Sequence, residues 1–355
     1  NIMATGKVVG SGVDYTSLGA LTKEQYIPKL VDNIKKKSVL LSRFLGKSRP
    51  NASGNQIHQP VEWADSTSLG FYQKYDEVSV DPGEFSVSAK YDWSQAYASV
   101  AISGFEERVN DNPEKLIDLL GAKMKNAEKS LMKTFSNAMY GISGADSVGN
   151  LVSLEDIASQ SSTLGGISPT ANSAKYAFWK GAFTTDKDAV IEAVNTSGAH
   201  FDNCAQIIDE ILREGWEAMS KDSGDKPSLI VTTQVVHDCY EQFLSDKKRT
   251  PSLASSEIAD AGFTGMKYRG VDLVVDPSCP AGQMFFINED YLRMIHSRKA
   301  NFSFTGFKSP VTQDAKVGHI LWMGQLITSN RAKAVGKFFG LPQNYTHTNA
   351  ESDVA

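Results

Sequence analysis

Residues 113–141 read PEKLIDLLGAKMKNAEKSLMKTFSNAMYG. Leu116, Leu120, Met124, Ala127, Leu131, Phe135 and Met139 step by three or four, the spacing of one helix face. Asp111 or Asn112 offers the N-cap, Pro113 takes the first helical position, and Glu114 follows in the first turn. Gly141 is the C-cap candidate. About 28 residues at about 1.5 Å each predict a rod of roughly 42 Å. An average helix has only about 11–12 residues. Gly121, inside the rod, costs up to about 1 kcal/mol against Ala, so a close backbone contact or a bend is expected there.

Upstream of the rod, residues 51–105 change character. Gly54, Pro60, Gly70, Pro82, Gly83 and Gly104 punctuate two strand-like stretches, Ile57–Gln59 and Phe85–Trp93. Period-two alternation is clear in the second. About 25 mostly polar residues separate them, longer than an ordinary hairpin loop. This predicts a long projecting β-ribbon. From Pro60 to Trp93 the chain carries seven Asp/Glu and two Lys. A lone two-stranded ribbon is marginal in water. Trp63, Phe71, Tyr72, Tyr75 and Trp93 therefore need cover, either from the chain's own body or from a partner. Earlier still, Tyr26, Leu30, Ile34, Leu41, Phe44 and Leu45 predict an amphipathic helix over 22–46, starting near Ile27 because Pro28 fits only its first turn. Lys23–Arg49 holds eight Lys/Arg and two Asp/Glu. Such a run is a solvated helix face or a strap for an acidic surface.

Downstream, residues 142–185 are rich in Gly, Ser and Thr. Helix–strand alternation follows: helical Asp186–Val194, Asn203–Lys221 and Thr233–Leu244, with strands at Ser228–Thr232, Val271–Asp276 and Met284–Asn288. This reads as an α/β unit of about 100 residues. Tyr291–Gly340 is strand-rich, with eight Lys/Arg against Asp314 alone. A polar tail, 341–355, closes the chain.

The whole chain has 355 residues, net charge −5, 41% hydrophobic and 22% charged content. Mean hydropathy is −0.28. These values exclude disorder, collagen and a multi-span membrane protein, and no global basic field is present for nucleic acid. Cys204, Cys239 and Cys279 are scattered and odd in number, which fits a reducing compartment. Asn1–Ala20 lacks the apolar core of a signal peptide, so synthesis in a cytoplasm is expected.

Chemistry-bearing motifs are missing from the sequence. It holds no P-loop, no His-Glu-x-x-His, no nucleophile elbow and no strand-coupled Gly-x-Gly-x-x-Gly. His237 and Cys239 lie two apart on a predicted helix and point in different directions. The six His show no metal-ligand spacing. No catalytic, cofactor-binding or metal residues are expected, and the chain is read as not an enzyme.

The order of parts carries the strongest signal: basic arm, acidic ribbon, very long helix, glycine-rich segment, compact α/β unit, returning strands. This order resembles the major capsid protein of tailed bacteriophages, the Hong Kong 97-type fold, across nearly the whole chain. The block Tyr268-Arg-Gly-Val-Asp-Leu-Val-Val-Asp-Pro277, followed by Phe285-Phe-Ile-Asn288, is similar in texture to late strands of that family. The resemblance implies an α+β fold with an N-terminal arm (1–50), an extended loop (51–105), a peripheral domain (106–190 and 291–335, spine helix 113–140) and an axial domain with C-terminal tail (191–290 and 336–355). It implies hexamers and pentamers of the chain, an icosahedral shell around double-stranded DNA bound without sequence specificity, no cofactor and no membrane. Scaffolding, portal and decoration proteins are the implied partners. About 50 residues precede the ribbon, so scaffolding is expected as a separate protein or a removed segment. The expected contacts between copies are Glu62, Trp63, Asp76, Glu84 and Trp93 of the loop, and Lys35, Lys36, Lys37 and Arg43 of the arm. The virion capsid, assembled in the host cytoplasm, is the implied location. The rivals are an encapsulin-like nanocompartment shell and a cytoplasmic α/β enzyme built on 186–290, with a pocket containing His237, Cys239 or Asp276.

Overall fold

The computed structural model describes residues 38–51, 54–65, 68–77, 83–109, 113–142, 151–171, 173–194, 200–221, 224–246, 266–310 and 313–345. Helix and sheet are mixed, as expected. One five-stranded sheet contains β1 (Arg49–Asn51), β4 (Ser94–Ser103), β10 (Leu292–Ser297), β11 (Ser303–Phe304) and β12 (Ala315–Thr328). The 14-residue β12 is its backbone. It pairs antiparallel with β4 from Ala315↔Ser103 to Gly324↔Ser94, and with β10 from Leu292↔Thr328 to His296↔Gly324. A two-stranded ribbon joins β2 (Gln56–Glu62) to β3 (Ser86–Asp92).

A six-stranded sheet has the order β5-β13-β9-β6-β8-β7. Its strands are β5 (Phe183–Asp186), β6 (Leu229–Thr232), β7 (Met266–Tyr268), β8 (Val271–Val275), β9 (Met284–Ile287) and β13 (Val335–Phe339). Both β6 and β9 are buried at every position, which explains why they read as continuous apolar runs without alternation. Successive side chains of a strand point to opposite faces. Accordingly Leu229, Val231, Phe285 and Ile287 join one hydrophobic core, and Ile230, Met284 and Phe286 join a second. The second core is covered by the helices His200–Ser220 and Gln234–Asp246, with Ile208, Ile211, Leu212 and Val236 fully or almost fully buried. Strand β5 lies within the expected 106–190 segment, yet it pairs with β13 in this sheet.

The long helix spans Pro113–Met139. Met124, Leu131, Phe135 and Met139 are buried along the stripe read from the sequence. The Phe135 ring meets Trp322 edge-on at 4.6 Å and Phe302 at 5.8 Å, tying the helix to the five-stranded sheet. Gly141 closes the helix at φ +83°, as a C-terminal glycine does. The predicted N-cap lies outside the described residues, as do the side chains of Leu116 and Leu120. Gly121 is buried.

The leading helix corrects an expectation. A continuous helix over 22–46 is ruled out, because Ser38 is extended at φ −125°, ψ 121° and caps a helix over Val39–Gly46. Its hydroxyl accepts from the Leu41 N–H at 3.3 Å and donates to Asp276 Oδ2 at 2.8 Å. Serine is a preferred cap for this reason, and a helical periodicity alone does not register the break. Residues 22–37 lie outside the described residues.

Candidate assembly interface

The ribbon has two unlike ends. At its base the register runs Gln56↔Asp92 through Glu62↔Ser86, so Ile57, Val61, Ala89 and Tyr91 all face the body and are buried. The Lys90 N–H donates to Gly165 O at 2.8 Å. Gly165 sits at φ +60°, and a Cβ there would come within 2.9 Å of the Ala89 Cβ, so the glycine lets the loop lie on the ribbon. Burial pushes the Tyr91 hydroxyl up to about 12, keeping it protonated. Trp93 Nε1 donates to Gly54 O at 2.9 Å. Trp63 stacks on Phe178 with ring centroids 6.4 Å apart.

The loop that receives the ribbon is itself built around Arg331, which is fully buried. Its guanidinium donates to the carbonyls of Asp156, Ile157, Ser159, Ser162 and Trp179 at 2.6–3.1 Å. A buried charge is tolerated only where polar partners replace water. Burial lowers its pKa to about 10, leaving it charged at neutral pH. Trp179 Nε1 donates to Leu164 O at 2.9 Å, closing the same loop.

The other end of the ribbon is bare. Leu69, Phe71, Tyr72, Tyr75 and Phe85 are exposed, Phe71 at 110% and Tyr75 at 96% of a free residue. Asp76 holds a tight turn there, accepting from the Gln73 N–H at 2.8 Å. So many exposed large apolar side chains in one short stretch mark a candidate binding surface.

The expected contact residues divide between these ends. Glu62 is exposed on β2, and Asp76 stands at the tip. Trp63 and Trp93 are covered by their own chain, while Phe71, Tyr72 and Tyr75 are not. Phe85, which opens the second strand-like stretch, joins the exposed set. Glu84 pairs with Lys175 of its own chain. The side-chain hydrogen bond and charge of Lys175 hold Glu84 below its ordinary 4.5, and Glu84 holds Lys175 above its ordinary 10.5. The pairing of Glu84 is therefore complete at neutral pH and disappears as pH falls through the lowered value. On the Lys175 side it persists until pH rises through the raised one. Replacing Lys175 by Met is expected to move the Glu84 titration back toward 4.5, followed by carboxyl-carbon NMR. An unmoved titration would remove the pair.

Lys35, Lys36 and Lys37 lie outside the described residues. Arg43 is engaged within the chain: Nη2 reaches Asp272 Oδ2 at 3.0 Å and Nη1 reaches Glu289 Oε1 at 3.3 Å. Lys47 pairs with the second oxygen of Glu289, and Lys267 approaches Asp272 at 3.6 Å. Together with Ser38–Asp276, this fastens the leading helix to strand β8 of the six-stranded sheet and to the turn after β9.

His237, Asp238 and Glu241 bring one ligand-type atom each within 4.8 Å of one another. Asp238 already accepts from Gln234 Nε2 at 2.6 Å and from the Tyr345 hydroxyl at 2.5 Å. The Cys239 thiol is pushed far up by a hydrogen bond with the free Cys204 thiol and by burial, and it faces Phe201 O at 3.8 Å. A protonated, buried thiol is not a nucleophile. Asp276 lies elsewhere, bonded to Ser38 and to the Ser278 N–H.

No protein-family profile matches the chain, and no curated protein sequence matches it. Solved structures do. The capsid asymmetric unit of cyanophage A-1(L) superposes with a TM-score of 0.58 at 13% identity, covering 86% of this chain and 93% of that one. The capsid of a native GTA particle gives 0.52 at 12% identity, covering 85% and 90%. A Gordonia phage Cozz chain gives 0.50 at 13% identity, covering 87% of each. The chain therefore has the fold of tailed-phage major capsid proteins.

Proposed function

We propose that this chain, built on the capsid fold, is the major capsid protein of a tailed bacteriophage, whose copies assemble into an icosahedral shell around packaged double-stranded DNA. One observation carries the reading. The ribbon is rigidly mounted at its base and presents an uncovered acidic, aromatic tip to solvent. On a lone molecule that tip is a liability; on a neighbouring copy it is a contact. Support also comes from the fold and from the length of chain it covers.

In capsid terms, 1–50 is the arm, 51–105 the extended loop, 106–190 with 291–335 the peripheral domain, and 191–290 with 336–355 the axial domain. Hexamers and pentamers form by repeating one set of contacts. Each exposed ion pair between copies contributes only about 0–1 kcal/mol. Apolar burial at roughly 25 cal/mol per Å², repeated around a closed shell, makes the assembly durable. The role is structural, with no catalytic step. A net charge of −5 suits a wall that confines DNA without binding it tightly. A scaffolding protein, a portal and decoration proteins are the partners this role calls for, and the virion is its location.

The test is assembly of purified protein, read by negative-stain microscopy. Uniform shells hundreds of ångströms across, on the order of many subunit diameters, are expected. Glu62→Lys with Asp76→Lys and Glu84→Lys is expected to cut particle yield at least tenfold while the circular-dichroism melt keeps its shape. Glu84 already pairs with Lys175, so the Glu62→Lys/Asp76→Lys double variant isolates the contribution between copies. Undiminished yield from both variants would end the ribbon-docking reading. Shells purified from cells that protect protein cargo but no nucleic acid would replace the phage role with that of a nanocompartment.

A further inference from the structure

Charge is unevenly spread over this acidic chain. The strands of the five-stranded sheet contain no Asp or Glu. From Tyr291 to Gln313 the chain carries Arg293, Arg298, Lys299 and Lys308 without an acid, between Asp290 and Asp314. Cations gather at one margin of that sheet. In the parallel β1–β10 pair Arg49 stands opposite Ile295, and Arg293 precedes Ile295 by two positions, so both arginines project from the face of Ile295. A two-residue offset at about 3.3 Å per residue and a strand spacing of about 4.8 Å put their Cα atoms about 8 Å apart. Arg298 and Lys299 follow directly after β10 ends at Ser297. All of these cations are exposed. Among the described residues, Arg49, Arg293, Arg298 and Lys299 have no side-chain ion pair or hydrogen bond. Cations elsewhere are held: Arg43 by Asp272 and Glu289, Lys123 by Glu106, and Lys337 by Glu155.

Like charges on neighbouring strands are destabilising, and an external anion turns that repulsion into a contact. The spacing suits a polyanion. Arg293 to Arg298 covers about 16 Å of extended chain, which spans about five phosphates of one DNA strand at about 3.4 Å each. Ile295, between the two arginines, is half-buried. The margin therefore offers charge without the exposed apolar anchor on which protein partners rely. We infer that this margin, formed by Arg49, Arg293, Arg298 and Lys299, faces the inside of the shell and meets the phosphates of the packaged double-stranded DNA. The inference rests on the capsid reading and adds which side of the subunit looks inward. Phosphate contacts carry no sequence information, as a wall for any packaged genome requires. The net charge of −5 keeps the rest of the subunit from DNA, so the contact is local, weak and salt-dependent.

The experiment is fluorescence anisotropy of a labelled DNA duplex of arbitrary sequence, titrated with the full-length protein over a range of KCl. For the parent, log affinity is expected to fall with log[KCl] at a slope of about −3, since each neutralised phosphate contributes about 0.9. Arg49→Gln/Arg293→Gln/Arg298→Gln/Lys299→Gln is expected to bind about tenfold more weakly or worse at low salt, with a slope near zero. The control removes the same charge elsewhere, by Lys→Gln at the exposed Lys125, Lys129, Lys133 and Lys180. Equal losses in the two variants, or no salt-dependent binding by the parent, would overturn the inference. Surface changes of this kind should leave the melt in place; if the first variant melts early, Arg298→Gln/Lys299→Gln, confined to the turn after β10, replaces it and is expected to halve the slope. The side is read separately. In Lys299→Cys, a maleimide on a bulky polymer is expected to label free subunits but not assembled shells, and equal labelling of both overturns the inward placement. Cys204, Cys239 and Cys279 are buried and add little background. A quadruple variant that binds DNA like the parent but forms no shells would give the margin to a protein neighbour instead. The failures are distinguishable: a parent that forms no shells ends the capsid reading, whereas a parent that forms them, with unchanged DNA affinity in the quadruple variant, leaves that reading standing and ends this one.

Discussion

Arg331→Met is expected to cost about 3–5 kcal/mol, a large fraction of the stability of a typical domain. The side chain is fully buried and spans five carbonyls. Two of them have a second donor: Ser159 O accepts from the Gly181 N–H, and Asp156 O from the Ser162 hydroxyl. Ile157, Ser162 and Trp179 would lose the Arg331 bond with no comparable replacement, and each buried carbonyl left unpaired costs about 1–3 kcal/mol. Methionine preserves the aliphatic stem, which separates the polar loss from a cavity. Arg331→Lys is expected to fall between, because one ammonium offers three donors where the fork offers five. The urea midpoint measures both. A midpoint within experimental error of the parent would mean that the loop over 156–179 does not depend on this guanidinium. A loosened loop would also free the ribbon base, since Gly165 and Leu164 are its seat.

The second large effect is expected at Phe135. Truncation to Ala removes a ring that is 4% exposed and packed edge-on to Trp322. Such truncations typically cost about 3–5 kcal/mol. Lys129→Ala, earlier on the same helix and on its solvent side, is expected to stay within about 0.5 kcal/mol of the parent. Denaturant titration of the pair reads the difference directly. Equal midpoints would mean that the stripe of the long helix is not the face that holds it to the sheet.

Much of this architecture is legible in the chain because its signals are local. Pro113 and Gly141 bracket the long helix, and the three-and-four spacing between them marks its buried side. The ribbon shows itself through alternation from Phe85 to Trp93 and the polar span before it. Where reading stopped short, the deciding contacts join residues far apart in sequence. Arg331 looks like one of many basic residues after Tyr291, and nothing local shows that it fills a loop more than 150 positions earlier. Arg43 reads as a strap charge because Asp272 and Glu289 are more than 200 residues away. Among the ribbon aromatics, the sequence does not separate Trp63 from Tyr75. Phe178 and Lys175 cover the first, and they arrive from another part of the chain. The break at Ser38 escapes the sequence for the opposite reason: a helical period continues across it, and the extended Ser38 backbone with its cap bond from the Leu41 N–H marks where the helix starts.

The alternation along β6 and β9 has a mechanical consequence. With Phe285 and Phe286 facing opposite sides, one thin layer of backbone is the party wall of two rooms. Neither room can be emptied without stripping plaster from the other. A substitution that disturbs this layer from either side is therefore felt in both cores.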